Sequence, residues 1–162
     1  MKKIELISLT LNNFKGIKDL TINFNSNTNI HGDNATGKTT IADSFYWLLF
    51  DKDSTDRKQF EIKTLDKNNQ PLHGLDHSVT GVLSINGKKK IFQKIYKEKW
   101  VKKRGESDSQ FTGHETLYYV DDIPVKKNEY EYEVTSIIDE SLFKLLTNPL
   151  YFSSLIKISI LH

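Results

Sequence analysis

Gly32-Asp33-Asn34-Ala35-Thr36-Gly37-Lys38-Thr39-Thr40 spells G-x-x-x-x-G-K-[ST], the spacing of a phosphate-binding P-loop. Glycine at positions 32 and 37 lets the backbone wrap close to a polyphosphate with successive N–H groups turned inward. Lys38 then reaches the β- and γ-phosphates, and the Thr39 hydroxyl ligates Mg²⁺. A helix opening at this point adds its positive N-terminal end to the site. The competing reading is a glycine-rich turn that only caps a helix, and the flanking sequence decides against it. Ile41, Phe45, Leu48 and Leu49 fall on one face of a helix running to about Phe50. The run Leu20-Thr21-Ile22-Asn23-Phe24 alternates as a strand does. Only the segment that should feed the loop, Thr28-Asn29-Ile30-His31, is poorer in apolar residues than a buried parallel strand usually is. The predicted nucleotide contacts are therefore Gly32, Asn34, Ala35, Thr36, Gly37, Lys38, Thr39 and Thr40, with ATP and Mg²⁺ as the expected ligands.

Upstream, residues 3 to 11 read as a strand with Ile7, Leu9 and Leu11 on one face, and Asn12-Asn13-Phe14-Lys15-Gly16 is turn chemistry. A second strand over 19 to 25 leads to the loop. Strand, turn, strand, loop and helix make an α/β opening. The 162 residues, 37% hydrophobic and 27% charged, give room for one domain with a proper core. Twenty-three basic residues against 21 acidic ones leave a net charge of +2, too balanced to argue for nucleic acid by itself. The absence of cysteine excludes disulfides and thiolate metal sites. Glu5, Ser8 and Thr10 break any signal-peptide core, and no run approaches the ~20 apolar residues of a spanning helix. A cytoplasmic protein without membrane contact is expected.

Leu9-x-Leu11-x-Asn13-Phe14-Lys15-Gly16, some way ahead of Gly32 to Thr40, resembles the start of SMC/RecF/SbcC-type ATPases. These are ABC-class ATPases of chromosome maintenance and DNA repair. The likeness extends to the AAA-labelled, SbcC-like ATP-binding proteins of phages and low-GC bacteria. It implies an N-terminal head lobe over 1–152: a P-loop core over 1–50, an antiparallel β-region over about 77–125 and a helical segment over 128–147. A mixed sheet with a flanking helix is the expected architecture. The resemblance also implies that Lys15 comes near the nucleotide; a solvated turn lysine is the alternative. Ala35 stands where many relatives carry glycine, and its small side chain still fits.

Residues 51 to 76 are polar and turn-rich, with a short strand expected around Phe60-Glu61-Ile62. In relatives a basic residue from this region approaches the γ-phosphate, which makes Lys63 a candidate; an exposed loop lysine is the simpler account. Val79, Gly81, Leu83 and Ile85 alternate up to Asn86-Gly87, the strongest short hairpin signal in the chain. Residues 102 to 114 read as a loop, and Thr116 to Val120 turns at Asp121-Asp122 into Ile123-Pro124-Val125. The basic run Lys88 to Arg104, with Phe92, Tyr96 and Trp100 interleaved, suits DNA. The favoured account is a strand whose aromatics pack inward while its lysines protect an exposed edge.

Asn128 and Glu131 mark a helix start, with Tyr130, Val134, Ile137 and Ile138 on one face. The resemblance puts Asn148 near the family's Mg²⁺-sensing glutamine, although asparagine is a departure from that pattern. After Phe152 the likeness ends, leaving 153–162 as a truncated or atypical tail.

An ABC-type ATPase also needs an apolar strand ending in Asp-Glu and a Leu-Ser-Gly-Gly signature; no strand is expected to end in the first, and the second is absent from the sequence. Leu117 to Asp122 imitates the first, but Ile123-Pro124-Val125 after it marks a hairpin turn. The five histidines lack metal-ligand spacing. The expectation is an ATP-binding half of a head with no complete catalytic set. Hydrolysis would wait for a C-terminal lobe or second head, with DNA as a further candidate partner. Two alternatives stand beside it. A small P-loop kinase would need an arginine-rich lid, and only Arg57 and Arg104 are present. A non-catalytic nucleotide-binding module is the other.

Overall fold

The computed structural model describes residues 3–25, 28, 30 and 37–138. Its strands are β1 (Ile4–Phe14), β2 (Ile17–Asn23), β3 (His77–Ile85), β4 (Lys88–Val101), β5 (Gln110–Val120) and β6 (Ile123–Val125). Its helices are α1 (Lys38–Phe50) and α2 (Lys127–Ile137). The strands form one six-stranded sheet in the order β2-β1-β3-β4-β5-β6. Every pairing among them is antiparallel.

Three tight hairpins set the register. Each turns on two residues with positive φ: Lys15 and Gly16 (46° and 89°), Asn86 and Gly87 (51° and 82°), Asp121 and Asp122 (50° and 64°). That combination matches the right-handed twist of the strands it joins. The step from β1 to β3 is the long-range one, pairing Leu9 with Gly81 and Leu11 with Val79. The opening hairpin and the later β-region are thereby joined into a single sheet.

The sheet presents Leu9, Leu11, Val79, Leu83, Phe92 and Val120, all buried, to α1. Every α1 residue from Ile41 to Leu49 is buried, the signature of a helix covered on all sides. Beneath it, a Cβ at Gly81 would lie 2.6 Å from Leu48 Cδ2, so the helix approaches β3 closely because residue 81 has no side chain. Phe14 packs on Trp47 at 5.5 Å between ring centroids. The connection after α1 is pinned by Asp53, whose carboxylate accepts hydrogen bonds from the backbone and side chains of Thr55 and Arg57. The lysine-free face of α2 carries Tyr130 and Val134 into the same core, Tyr130 meeting Phe92 edge-on at 5.4 Å.

Several local expectations change. β1 runs on to Phe14, and β2 lies at 17–23 rather than 19–25. Residues 60–62 make no strand; the Ile62 carbonyl instead accepts the Lys15 N–H at 2.9 Å. The loop expected over 102–114 ends earlier, because β5 starts at Gln110 and pairs with Val101. α2 begins at Lys127, where Glu129 accepts the Lys126 N–H at 2.8 Å, in place of a start signalled by Asn128 and Glu131. β4 is no exposed edge: it lies between β3 and β5, and its Lys94 is buried on the core face with Phe92. The edge-protection account of its lysines therefore fails, since the edges are β2 and β6. Of the feeding segment, Thr28 and Ile30 are described and neither is in a strand.

Candidate functional site

The first turn of α1 carries the described part of the glycine-rich loop. Gly37 sits just ahead of the helix at φ 93°, and its carbonyl accepts the Ile41 N–H at 3.0 Å. A side chain is disfavoured there because the conformation is left-handed; a Cβ would otherwise make only an ordinary contact with Ile17 Cδ1 at 3.4 Å. Lys38 and Thr39 are exposed and Thr40 is half-buried. Thr39 thus offers a hard hydroxyl oxygen at a positive helix end, the donor type that suits Mg²⁺. Gly32, Asn34, Ala35, Thr36 and Asn148 lie outside the described residues.

The β1–β2 turn comes to the flank of this helix. Lys15 Nζ donates to Asp43 Oδ2 at 2.5 Å and lies over the Phe60 ring at 5.6 Å from its centroid. Asp43 itself is buried, and its other oxygen accepts from the Ser54 N–H (2.9 Å) and hydroxyl (2.5 Å). Thr39 and Asp43 are four residues apart and share a helix face, about 5–6 Å between Cβ atoms. The fold therefore holds the Lys15 ammonium against the second turn of α1, one turn beyond Thr39. Lys63 follows Ile62, the residue that bonds Lys15, and its own N–H donates to Glu61 at 2.8 Å. Its charge also bears on His114, whose pKa is lowered by burial first and by Lys63 second.

At the opposite end of α1, Lys94 donates to the Trp47 carbonyl at 2.7 Å and to Asp51 Oδ1 at 2.6 Å. Trp47, Tyr118 and Tyr130 surround the ammonium at 5.1–5.6 Å from their ring centroids. Burial lowers its pKa to about 8, against the opposing pull of Asp51. Tyr130 donates its hydroxyl to the Leu48 carbonyl at 2.8 Å.

Sequence reasoning missed Asp43, Ser54 and Lys94. The signal for Asp43 was a lone acid inside the apolar stretch Ile41 to Leu49, four residues after Thr39. Asp121 and Asp122, the imitation of an acidic strand end, form an exposed hairpin turn. Among the described residues no cluster of three or more His, Asp or Glu could hold a metal, and no helix is long and apolar enough to cross a membrane.

A family profile described as an AAA domain matches residues 8–155. The chain belongs to this AAA-domain family. Within it, the curated relatives are proteins called DNA replication and repair protein RecF. One from Clostridium botulinum (strain Loch Maree / Type A3) is 29% identical over 93% of this chain and 41% of its own length. Another, from Streptococcus gordonii, is 33% identical over 50% of this chain and 23% of its own length. The AAA-domain chain thus spans about two-fifths or less of these relatives. Two solved structures share its fold. The recombination mediator protein RecF with ATP has a TM-score of 0.54 and 17% identity, covering 80% of this chain and 31% of that one. RecF-ATPrS has a TM-score of 0.55 and 18% identity, covering 82% and 30%. The α/β fold is that of the N-terminal region of an SMC/RecF-like P-loop ATPase head.

Proposed function

We propose that this chain is the ATP-binding N-terminal lobe of a RecF/SMC/SbcC-like ATPase serving DNA repair, recombination or phage DNA metabolism. The observation that carries the reading is the G-x-x-x-x-G-K-[ST] spacing set at the start of a buried helix, with Gly37 left-handed at its mouth. Amides of residues 32–37 would face the phosphates, Lys38 would neutralise the β- and γ-phosphates, and Thr39 would hold Mg²⁺. Lys15 would add a second cation from the flank; Lys63 and Asn148 are the remaining candidates. The solved RecF-ATP and RecF-ATPrS structures that share the fold support the choice of nucleotide. The whole of residues 1–152 would act as one lobe, with 77–125 as its β-region.

The sequence has no Leu-Ser-Gly-Gly signature, and its one Asp-Glu pair, Asp139-Glu140, follows helix α2 rather than a strand, so hydrolysis would need a C-terminal lobe or second head to supply the water-activating carboxylate. The kinase alternative is weakened by the connection 51–76, which contains no helix that could serve as a lid.

Titration of the purified chain with a non-hydrolysable ATP analogue, with and without Mg²⁺, tests the reading. Binding should strengthen with Mg²⁺. Losing the Lys38 ammonium in Lys38→Ala should weaken it about 10- to 100-fold, the usual worth of a charge-assisted contact. Affinity indifferent to both changes would refute a P-loop site. Turnover by the isolated chain should be close to background; brisk hydrolysis abolished by Lys38→Ala would refute the need for a partner.

A further inference from the structure

Lys15 is out of place in its turn. The two other hairpins of the sheet put Asn86 and Asp121 at the corresponding left-handed position, residues whose short polar side chains tolerate it. A lysine there is strained, and such strain persists where the surroundings over-determine it. Here they do so from two sides: the Lys15 N–H is bound by the Ile62 carbonyl at 2.9 Å, and its ammonium by Asp43 at 2.5 Å.

We infer that Asp43 is a positioning residue for phosphate binding, acting through Lys15. This rests on the proposed nucleotide site. Asp43 is placed on α1 one helical turn beyond Thr39, and Ser54 saturates its far oxygen from the connection behind. Its near oxygen has Lys15 as the cation that lets a carboxylate remain in the interior, since removing one member of a buried pair is strongly destabilising. Lys15 is therefore kept on the helix flank. An ammonium has three donors, and the bond to Asp43 uses one, leaving the others for phosphate oxygens. The Phe60 ring under the same ammonium limits its sideways excursion. Asp43 itself touches no ligand; it fixes where the second cation stands.

The test is a cycle of Lys15→Met, Asp43→Asn and the double variant in the full chain, read by ATP affinity and by thermal stability. Lys15→Met should weaken ATP binding about tenfold and also lower the melting temperature, because Asp43 is left buried without its cation. Asp43→Asn should weaken binding by several-fold while Lys15 is present and add nothing once Lys15 is gone. The double variant should recover the melting temperature, the neutral amide needing no cation, but not the affinity. A purely structural role would return both together, and that result overturns the inference. Independent losses in the two single variants also overturn it, as does tighter binding by Asp43→Asn, which would make the carboxylate a competitor for Lys15. Should Asp43→Asn not fold, Ser54→Ala loosens the same carboxylate with both charges intact, and its smaller loss of affinity must likewise vanish beside Lys15→Met. Wild-type chain that binds no ATP, or binds it regardless of Lys38→Ala, overturns the nucleotide site and this inference with it. Wild-type binding that depends on Lys38 without Lys15–Asp43 coupling overturns the inference alone.

Discussion

In the N-terminal half of α1 and at its C-cap a lysine from the sheet meets an aspartate from the helix or its cap, and the two pairs are inverted. In the N-terminal half the carboxylate is the buried member: the Asp43 side chain is 3% exposed and that of Lys15 25%. At the C-terminal end the cation is buried instead, Lys94 being 1% exposed and Asp51 30%. The member left in solvent is the one that can meet something else. A half-buried ammonium one helical turn beyond Thr39 suits phosphate on the proposed reading. A half-buried carboxylate at the other end is shared with Lys127 at 3.4 Å. The buried Lys94 is left to bind the Trp47 carbonyl, at the negative end of the helix dipole. On the proposed reading, one helix thus has an end that receives a ligand and an end that stays still.

The sharpest way to break that contrast is to remove the lock. Lys94→Ala deletes a buried stem, its hydrogen bond to the Trp47 carbonyl and the cation inside three rings; it should cost about 3 kcal/mol in urea denaturation. Lys94→Met keeps the stem, and Asp51 stays partly solvated, so its cost should be nearer 1 kcal/mol. An alanine variant as stable as wild type would mean that the C-terminal end is not held by this residue.

A second test uses proton linkage. Lys94 is lowered from 10.5 to about 8, chiefly by burial. Between those values the unfolded chain holds a proton that the folded chain has released. Stability therefore rises with pH across that window, by at most about 1.4 kcal/mol per unit. Above about pH 10 the tyrosines oppose it. Tyr46 is pushed up to about 12 by burial and Tyr130 is raised too, so the unfolded chain ionises first and stability falls. Urea midpoints measured from about pH 7.5 to about pH 9.5 should climb for the wild type relative to Lys94→Met. A constant difference between the two would remove the case for a buried ammonium.

The receiving end was far more legible in the sequence than the locked one. Gly37-Lys38-Thr39-Thr40, the extent of α1 and the turns at Asn86-Gly87 and Asp121-Asp122 are all local chemistry, written within a few residues of where they act. Lys94 was half written. Phe92, Lys94 and Tyr96 alternate with period two, which places the lysine on the face of Phe92. What periodicity lacks is the partner: Asp51 and the Trp47 carbonyl lie more than 40 residues away in sequence. The same gap hid the pairing of β1 with β3 and the central place of β4, because a strand's pattern says which way its side chains point and not which strand lies beside it. Asp43 was hidden for a related reason, its charge being explained only by a turn lysine 28 residues earlier.

The mildest perturbation asks whether the two ends of α1 are independent. Tyr130→Phe removes one hydroxyl, the donor to the Leu48 carbonyl at 2.8 Å, and keeps the ring that packs on Phe92 and faces Lys94. Its cost should be about 1 kcal/mol, that of one buried carbonyl losing a partner. The loss falls in the last turn of α1, next to the Asp51 N–H that bonds Trp47 at 3.1 Å, so hydrogen exchange at that amide should quicken. The Gly37 mouth lies at the other end of the helix and the Lys15–Asp43 pair in its N-terminal half, and ATP affinity should stay within about twofold of wild type. Exchange that quickens together with a clear loss of ATP affinity would show the helix moving as one lever, and the division into a receiving end and a locked end would not survive it.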